Sequence, residues 1–210
     1  MQKKMNAALR LFKARKTIYE MFRDRGYTIR IPLHEKSVEH FMGWLQQHDR
    51  KALTLTFFKG EKQAMVFFPE EEKVGVAYIR SMFGTLAKRH CAVGTIVYID
   101  NITPFAKQEI RKLSKEHQVE IQMFKQLHLQ FNITRHKKVP PHLILSKEEK
   151  DKLLMQYNVP LDKLPYLPLS DPIAQYYGAR KGQVVRVQRT SPEGHPYYVY
   201  RCVTRKLQKK

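Results

Sequence analysis

The sequence of 210 residues contains few cysteines and no long apolar run. Its two cysteines, Cys91 and Cys202, lie far apart, and neither belongs to a paired-cysteine motif, so neither a disulfide framework nor a zinc ribbon is indicated. No apolar segment approaches the roughly 20 residues that a membrane-spanning helix needs. The N-terminus also lacks the apolar core of a secretory signal. We therefore expect an intracellular protein with no membrane role.

Acidic residues are scarce as well. Asp and Glu number 19 against 39 Lys and Arg, which gives a formal net charge of +20. An ordinary soluble metabolic enzyme has no need of such an excess, so the first expectation is a polyanionic partner. Residues 1–138 carry 26 basic and 13 acidic side chains and residues 139–210 carry 13 and 6, so the charge is not confined to a basic tail.

Motifs for enzymatic chemistry are missing too. The chain has no phosphate-binding glycine loop, no dinucleotide fingerprint and no nucleophile elbow. The nine histidines are scattered, and His136 and His142 flank a proline turn without nearby cysteines, so we expect no metal and no cofactor. A nuclease remains an alternative, because Glu71-Glu72-Lys73 has the Glu-x-Lys pattern and Asp100 is a possible further metal ligand.

The opening segment has the periodicity of an amphipathic helix that ends near Gly26. Its predicted apolar face consists of Ala7, Leu11, Ala14, Ile18 and Met21. Lys13, Lys16 and Arg23 fall on another face together with Glu20. This basic stripe is typical either of solvated surface or of a surface that follows a phosphate backbone.

The next hundred residues alternate between strand and helix patterns. We predict a short strand at 28–31, a helix after Ser37, a hairpin from 53–58 and 63–68, a helix over 76–90, and strands at 94–100 and 119–124. Thr103 and Pro104 are suited to cap and open a helix that runs to about 118 between the last two strands. A strand, a helix and a strand in this order predict a parallel crossover unit, hence an α/β domain around a mixed sheet. In such sheets the loop after a strand's carboxyl end is where ligands meet the protein, which draws attention to 103–107.

A second unit begins near the basic stretch around Pro140-Pro141. Ser146 and Glu149 form a capping box that opens a helix, and Asp171-Pro172 begins a short helix that ends at Gly178. Strand patterns at 183–189 and 197–204 predict an antiparallel pair. These elements predict a small two-layer α/β unit that gains stability by docking on a partner.

Three stretches of sequence resemble one protein family. The C-terminal stretch contains His-x-x-Val-Pro-x-His, from RHKKVPPHLILSKEEK, followed by DPIAQYYG, GQVV and SPEG before YRC. The N-terminal stretches are ARKTIYEMFRDRGYTI and GTIVYIDNITPFAKQEI. Together they resemble the subunit-five family of eukaryotic DNA-dependent RNA polymerases, whose C-terminal domain is shared with a smaller archaeal counterpart. Because that counterpart consists of the C-terminal domain alone, the presence of both halves implies a eukaryotic or a eukaryote-like viral form.

The resemblance implies a non-catalytic structural subunit with two domains. Residues 1–134 are expected to form a jaw domain, similar to a restriction-endonuclease-type α/β fold without its active centre, beside the downstream duplex DNA. Residues 135–210 are expected to form an assembly domain that anchors to the largest polymerase subunit and its small neighbours. No small-molecule substrate is implied. The location implied is the nucleus for a cellular protein and a cytoplasmic viral factory or the virion for a viral one.

The resemblance and the charge pattern also name candidate site residues. Those expected near DNA are Thr103, Pro104, Phe105, Ala106 and Lys107, together with Lys13, Lys16 and Arg23. Those expected at the subunit interface are His136, Val139, Pro140, His142, Asp171, Pro172, Ile173, Tyr176, Tyr177, Gly178 and Gly182. The family usually has a serine where this chain has Phe105, so we expect Phe105 to pack inward or against a neighbouring subunit. The alternatives are a stand-alone basic DNA-binding module and a nuclease.

Overall fold

The fold is known from a computed structural model that describes residues 2–30, 32 and 36–205. The chain forms two compact units, Met1–Phe131 and Asn132–Lys210, called the N-terminal and C-terminal units below. Within the described residues, no helix has the length and apolar character needed to cross a membrane. Both units combine helices with sheets, which confirms the predicted α/β class.

The N-terminal unit alternates strands and helices after two opening helices. Its elements are α1 (Gln2–Asp24), α2 (Val38–Gln47), β1 (Leu55–Lys59), β2 (Lys62–Phe67), β3 (Lys73–Val74), α3 (Val76–Lys88), β4 (Val93–Tyr98), β5 (Asn101–Ile102), α4 (Pro104–Glu116) and β6 (Glu120–Lys125). Short 3-10 turns lie at Arg50–Leu53 and Gln126–Leu129.

The main sheet of this unit has the strand order β1-β2-β4-β6. The β1–β2 hairpin is antiparallel, whereas β2, β4 and β6 run parallel to one another. The sheet is therefore mixed, and β4, α4 and β6 form the predicted parallel crossover. A small parallel pair, β3 with β5, lies beyond the carboxyl ends of β2 and β4.

Helices cover both faces of this sheet. On one face the ring of Phe57 in β1 stacks on Phe22 of α1, with the ring centroids 4.4 Å apart. On the other face Met65 and Ile96 belong to a buried cluster that α3 and α4 share. A strand whose two faces are both buried is apolar throughout, which explains the continuous apolar run of β4.

Local hydrogen bonds mark the start of α2 and the end of α3. Ser37 caps α2 by accepting a hydrogen bond from the His40 amide at 3.3 Å. Helix α3 is followed by His90 at φ 50°, and its last turn is closed by hydrogen bonds from the amides of His90 and Cys91 to α3 carbonyls.

Several sequence predictions for this unit are wrong in detail. Residues 28–30 form no strand, because Thr28 makes only an isolated bridge to Phe58; Ile31 lies outside the described residues. Ala7 is exposed, since the apolar face of α1 meets the rest of the unit only from Leu11 onward. The strand predicted at 94–100 ends at Tyr98, where the chain turns to pair β5 with β3. Helix α4 ends at Glu116 rather than near residue 118.

The C-terminal unit is built around a four-stranded sheet. Its elements are β7 (His142–Ile144), α5 (Lys147–Tyr157), β8 (Tyr166–Pro168), α6 (Pro172–Tyr176), β9 (Val184–Thr190) and β10 (Pro196–Thr204), with strand order β7-β9-β10-β8. Strands β9 and β10 form the predicted antiparallel pair. The three-residue strands β7 and β8 were not predicted, because so short a segment has no periodicity to read.

The two faces of this second sheet meet different helices. One face packs Val185, Val187 and Val203 with Ala174 of α6. The other packs Val184 with Leu153 of α5. Helix α5 begins with the predicted capping box, in which Ser146 and Glu149 exchange hydrogen bonds of 3.1 and 2.7 Å.

Candidate functional site

The predicted DNA-proximal loop lies at the start of α4. The Thr103 hydroxyl accepts a hydrogen bond from the Ala106 amide at 3.2 Å, and Pro104 occupies the first turn, where its missing N–H costs nothing. These two residues therefore fix the position at which the helix begins.

The side chains of this loop differ sharply in exposure. Phe105 is 74% exposed, so of its two expected placements the inward one is wrong, whereas packing against a neighbouring subunit stays a prediction. Lys107 is also exposed. Ala106 is fully buried in the cluster between α4 and the sheet, so its side chain does not reach a ligand. Phe105 and Lys107 are the groups that this loop offers to a partner.

The loop lies at the carboxyl ends of the parallel strands, together with a run of acidic residues. The amides of Asp100 and Asn101 donate to the Glu72 carbonyl at 3.3 and 3.1 Å, which ties the segment after β4 to the segment after β2. Fold topology thus brings the Glu71-Glu72-Lys73 segment next to Asp100, as a nuclease site requires.

The nuclease alternative nevertheless fails at this position. The Asp100 carboxylate pairs with Lys125 at 3.4 Å instead of facing a metal site. Across the part of the chain that the structure describes, no group of three or more His, Cys, Asp or Glu is placed to hold a metal ion. A hydrolytic metal centre needs such a group of ligands, so this arrangement gives no support to cleavage.

The other predicted DNA-proximal residues lie on α1. Lys13, Lys16 and Arg23 are all exposed, as the helical periodicity predicts, and Arg23 pairs with Asp24 at 3.7 Å. Helix α1 covers one face of the sheet, whereas the loop at Thr103 begins a helix on the opposite face. The structure therefore does not join the two groups of residues into one cluster.

The sequence analysis did not predict a buried cation on the inner face of α1. Arg15 is 1% exposed, its guanidinium lies 4.9 Å from the ring centroid of Phe68 and 5.8 Å from that of Phe41, and it donates a hydrogen bond to the Leu53 carbonyl. Aromatic faces and a carbonyl offset the loss of hydration. The available signal was its position four residues after Leu11, inside the apolar stripe.

The residues predicted for the subunit interface lie around α6 and the start of β7. Asp171 caps α6 by accepting hydrogen bonds from the amides of Ile173 and Ala174 at 2.8 and 3.2 Å. His136 and Pro172 are exposed, whereas the half-buried members are Val139, Pro140, His142, Asp171, Ile173, Tyr177, Gly178 and Gly182. Gly182 adopts φ 83°, which favours glycine at that turn.

Tyr176 differs from the other members of this set. Its ring is 3% exposed, and its hydroxyl accepts a hydrogen bond from Asn132 at 2.9 Å. The side chain therefore belongs to the unit's own core, and its neighbour Tyr177 is the one that approaches the surface. A tyrosine in a short amphipathic helix has no sequence signal that separates these two positions.

His142 is the titratable group with a shifted pKa in this region. Its Nδ1–H donates to the Pro140 carbonyl at 2.6 Å. Burial lowers the pKa of His142 below the ordinary value of 6.5, although the hydrogen bond to Pro140 and the nearby Asp171 carboxylate oppose that effect. The neutral imidazole is thus favoured, and it acts as a structural donor.

The C-terminal unit has a second surface that exposes aromatic side chains. A groove of about 300 Å³ lies between α5 and β10 on the opposite face of the sheet, and its lining consists of Leu153, Leu154, Tyr157, Val159, Leu164, Pro165, Tyr198, Val199 and Tyr200. Tyr157 and Tyr198 are more than half exposed. Exposed aromatic side chains that line a groove are typical of protein contact surfaces.

Comparison with protein families gives two matches. Residues 5–86 match the model described as RNA polymerase Rpb5, N-terminal domain, and residues 131–203 match RNA polymerase Rpb5, C-terminal domain. The loop at 103–107 lies between the two matched ranges.

Similar proteins cover almost the whole chain. A Dictyostelium discoideum protein named DNA-directed RNA polymerases I, II, and III subunit rpabc1 is 37% identical over 92% of this chain and 98% of its own length. The Caenorhabditis elegans protein of the same name is 33% identical over 92% of this chain and 95% of its own length. An Arabidopsis thaliana protein named DNA-directed RNA polymerase subunit 5-like protein 1 is 36% identical over 91% and 94%.

Proposed function

The chain belongs to the RNA polymerase Rpb5 family, and on that premise we propose that its N-terminal unit borders the downstream DNA while its C-terminal unit anchors it to the largest polymerase subunit. It is a non-catalytic subunit of a DNA-dependent RNA polymerase and has no catalytic site of its own. The observation that carries the proposal is that relatives named as polymerase subunits match both halves of the chain. Other polymerase subunits are therefore its partners.

The loop at the start of α4 supports the proposed position beside DNA. Phe105 and Lys107 project from it, and helix N-termini carry unpaired backbone amides that favour anions. A polymerase passes over all sequences, so a jaw is expected to hold DNA through phosphates, which carry little sequence information. The assignment of Thr103 to Lys107, Lys13, Lys16 and Arg23 to the DNA side stays a prediction.

The region around α6 supports the proposed anchor. Ile173 and Tyr177 are half-buried apolar side chains that a partner is able to cover further, and His136 and Pro172 are exposed beside them. Interfaces favour aromatic and apolar groups of this kind at their centre. The domain boundary at 134/135 and the individual interface residues also stay predictions.

The location follows from the same premise. The relatives come from eukaryotes and are named as subunits of DNA-directed RNA polymerases, so a cellular protein of this sequence is proposed to act in the nucleus. A viral origin predicts a cytoplasmic factory or the virion instead, and immunofluorescence of cells that carry the gene separates these two locations.

The anchor is tested by purifying the tagged full chain from the cells that carry its gene. We expect stoichiometric recovery of the two largest polymerase subunits, and its absence contradicts the proposal. Replacing Ile173 with Asp and Tyr177 with Ala should reduce recovery at least about tenfold, because truncating anchors at the centre of an interface commonly costs more than about 2 kcal/mol.

A matched double variant controls for the loss of aromatic surface. Tyr157→Ala with Tyr198→Ala removes two exposed rings from the other face of the same sheet. We expect it to reduce recovery less than the α6 variant does, because the groove between α5 and β10 is not part of the proposed anchor, and equal losses for the two variants contradict the placement of the anchor at α6. Thermal unfolding of each purified variant shows whether the fold is retained.

The DNA side is tested in the assembled polymerase. A photo-crosslinking amino acid at position 105 should react with downstream duplex, whereas the same group at position 155, which is 81% exposed in the C-terminal unit, should not. If position 105 crosslinks to protein and not to DNA, the proposed placement of this loop beside the downstream DNA is contradicted.

A further inference from the structure

The N-terminal sheet has two edges, and their charges differ. The amino edge, where the parallel strands begin, is formed by four turns: 23–26, 59–62, 88–91 and 115–118. The carboxyl edge, where those strands end, is formed by segments 69–73 and 99–107 together with Lys125. The amino edge carries seven Lys and Arg against three Asp and Glu, whereas the carboxyl edge carries three against four. The amino edge therefore has a net charge of +4 and the carboxyl edge a net charge of −1, so of the two edges the one opposite the loop at Thr103 is cationic.

The strand register places the turns of the amino edge side by side. Ala64 pairs with Val93, and Val93 pairs with Glu120, so the residues just before these three positions form one row. The amide of Ala92 donates to the Gln63 carbonyl at 3.0 Å, and the amide of Glu120 donates to the Ala92 carbonyl at 3.1 Å. The row from β1 to β6 crosses three strand spacings, or roughly 14 Å.

The end of α1 joins this row. The Lys59 ammonium donates to the Arg25 carbonyl at 2.6 Å, and Thr28 forms its bridge with Phe58. Arg25 reaches across to the side-chain oxygen of Gln122 in β6, with a distance of 2.8 Å. All four turns thus belong to one continuous surface of the N-terminal unit.

Four cations of this surface have uncommitted side chains. Lys62, Lys88, Arg89 and Lys115 are exposed, and within the described ranges their side chains form no hydrogen bond or ion pair. At the carboxyl edge, Lys125 is paired with Asp100, whereas Lys73 and Lys107 are exposed like the four cations of the amino edge.

Helix dipoles account for only part of this pattern. Arg23, Lys88 and Lys115 lie in the last turns of α1, α3 and α4, where a cation stabilises the negative helix end by about 0.3–1 kcal/mol. Lys59 and Lys62 lie in a hairpin turn, so a separate reason is needed for them. An exposed Lys or Arg that stabilises a helix end still has N–H groups that are able to donate hydrogen bonds to a phosphate.

The chemistry of the surface favours nucleic acid over a protein segment. Among the described residues, no large exposed apolar side chain lies within these four turns, and Phe58, which is 52% exposed, is the one that lies directly beside them. Protein interfaces centre on such anchors, whereas phosphate contacts require only distributed cations. A duplex presents one negative charge per about 1.7 Å of its axis, so a row of about 14 Å faces roughly eight phosphates.

We propose that the amino edge of the N-terminal unit binds the phosphate backbone of duplex nucleic acid without sequence preference. Lys62, Arg89 and Lys115 are its central contacts, with Lys88 and Arg23 beside them. This surface is separate from the loop at Thr103, and it does not depend on assembly into a polymerase.

The test uses the isolated full chain and a fluorescein-labelled 20-base-pair DNA duplex, with binding measured by anisotropy at several salt concentrations. Lys62→Gln, Arg89→Gln and Lys115→Gln are combined in one variant. The control combines Arg10→Gln, Lys36→Gln and Arg111→Gln, three exposed cations elsewhere on the unit that belong to neither DNA-facing surface. We expect the first variant to bind about tenfold more weakly and to lower the slope of log affinity against log salt by about 2–3. The control should change affinity less than about twofold.

Four outcomes overturn the proposal: absence of binding by the unchanged chain at about 50 mM salt, equal losses for the two variants, a larger loss for the control, and displacement of the duplex by poly-glutamate at equal charge concentration. Each of these outcomes leaves the proposed polymerase function intact, because that function rests on the family matches and is tested in the assembled polymerase. Fluorescence of Trp44, the single tryptophan of the chain, shows that each variant retains the fold of the N-terminal unit.

Discussion

The sheets of the two units are covered to different extents. In the N-terminal unit, α1 covers one face and α3 and α4 cover the other, so strand residues on both faces, such as Val66 and Ile96, are fully buried. In the C-terminal unit, α5 covers only part of one face, and Leu143 and Tyr198 of that face stay about half exposed. A sheet with both faces covered is complete as it stands, whereas a partly covered one has apolar area left for a partner.

This difference agrees with the division of work proposed for the units. Both units are basic, and the charge of the N-terminal unit is what is proposed to act on DNA, which it does over several ångströms without further burial. The C-terminal unit presents half-buried apolar side chains, whose stabilisation is realised only when a partner removes them from water. Stability measurements on single variants test whether the two units differ in this way.

The largest effect is expected from removing a ring that closes the covered sheet. Phe22 is fully buried and stacks on Phe57, so Phe22→Ala should lower the free energy of unfolding of the N-terminal unit by about 3–5 kcal/mol. Urea unfolding followed by Trp44 fluorescence reports on this unit. Tyr198→Ala, at a ring 51% exposed on the partly covered sheet, should cost less than about 1 kcal/mol, measured from the methyl NMR signals of Val203. Similar costs at both positions contradict the comparison.

A smaller effect is expected from adding one methyl group to the covered sheet. A Cβ at Gly94 lies 2.7 Å from Ile121 Cδ1 and 2.8 Å from Leu86 Cδ1, so Gly94→Ala should destabilise the N-terminal unit by about 1–3 kcal/mol. Gly43→Ala is the control, because nothing lies within 4 Å of its Cβ on the exposed side of α2. This control should stabilise the unit by roughly 0.5–1 kcal/mol. Stabilisation by both variants means that α3 packs on the sheet less closely than described.

In the C-terminal unit, the cap of α5 should contribute about 1 kcal/mol. Ser146→Ala removes the hydroxyl that accepts from the Glu149 amide, and it leaves that amide to water. The methyl signals of Val203 in urea provide the measurement. Ser170→Ala, an exposed serine outside any helix, should change the free energy of unfolding by less than about 0.3 kcal/mol. If both variants change the free energy of unfolding by the same amount, the cap does not stabilise the C-terminal unit as predicted.

The smallest effect concerns pH. Burial lowers the pKa of His142 below 6.5, so the unfolded chain binds a proton at this residue more readily than the folded chain as the pH falls. The stabilisation is therefore complete above pH 6.5 and is lost progressively below it. Between pH 7.5 and 5.5 the unchanged chain should lose up to about 1 kcal/mol more than His142→Gln. If the free energy of unfolding depends on pH in the same way for the two chains, the His142 imidazole is not desolvated in the folded chain.

Local chemistry made much of this fold predictable from the sequence. The caps at Thr103 and Ser146, the glycine of the β1–β2 hairpin and the helix-strand alternation that forms the parallel crossover are properties of short segments, and the structure confirms each. The strand predicted at 28–31 failed because an extended segment becomes a strand only if a neighbour pairs with it, and Thr28 alone finds one.

The candidate sites were less predictable, because exposure depends on contacts between distant segments. Phe105 and Ala106 are adjacent apolar residues in one helical turn, yet the first is exposed and the second is buried. Tyr176 and Tyr177 differ in the same way. The cationic Arg15 is buried because residues 26 or more positions away supply aromatic faces and a carbonyl.

By itself, the sequence determined the α/β class, the order of most elements, the strongly basic charge and the resemblance to the polymerase family, since all of these reside in composition and in short ordered motifs. Tertiary structure alone decided which helix covers which face, which apolar side chains stay exposed, and at which edge of the N-terminal sheet the charge collects. The physical reason is that strand register and helix packing bring together turns that are separated by dozens of residues, so a surface charge density exists only after the chain has folded.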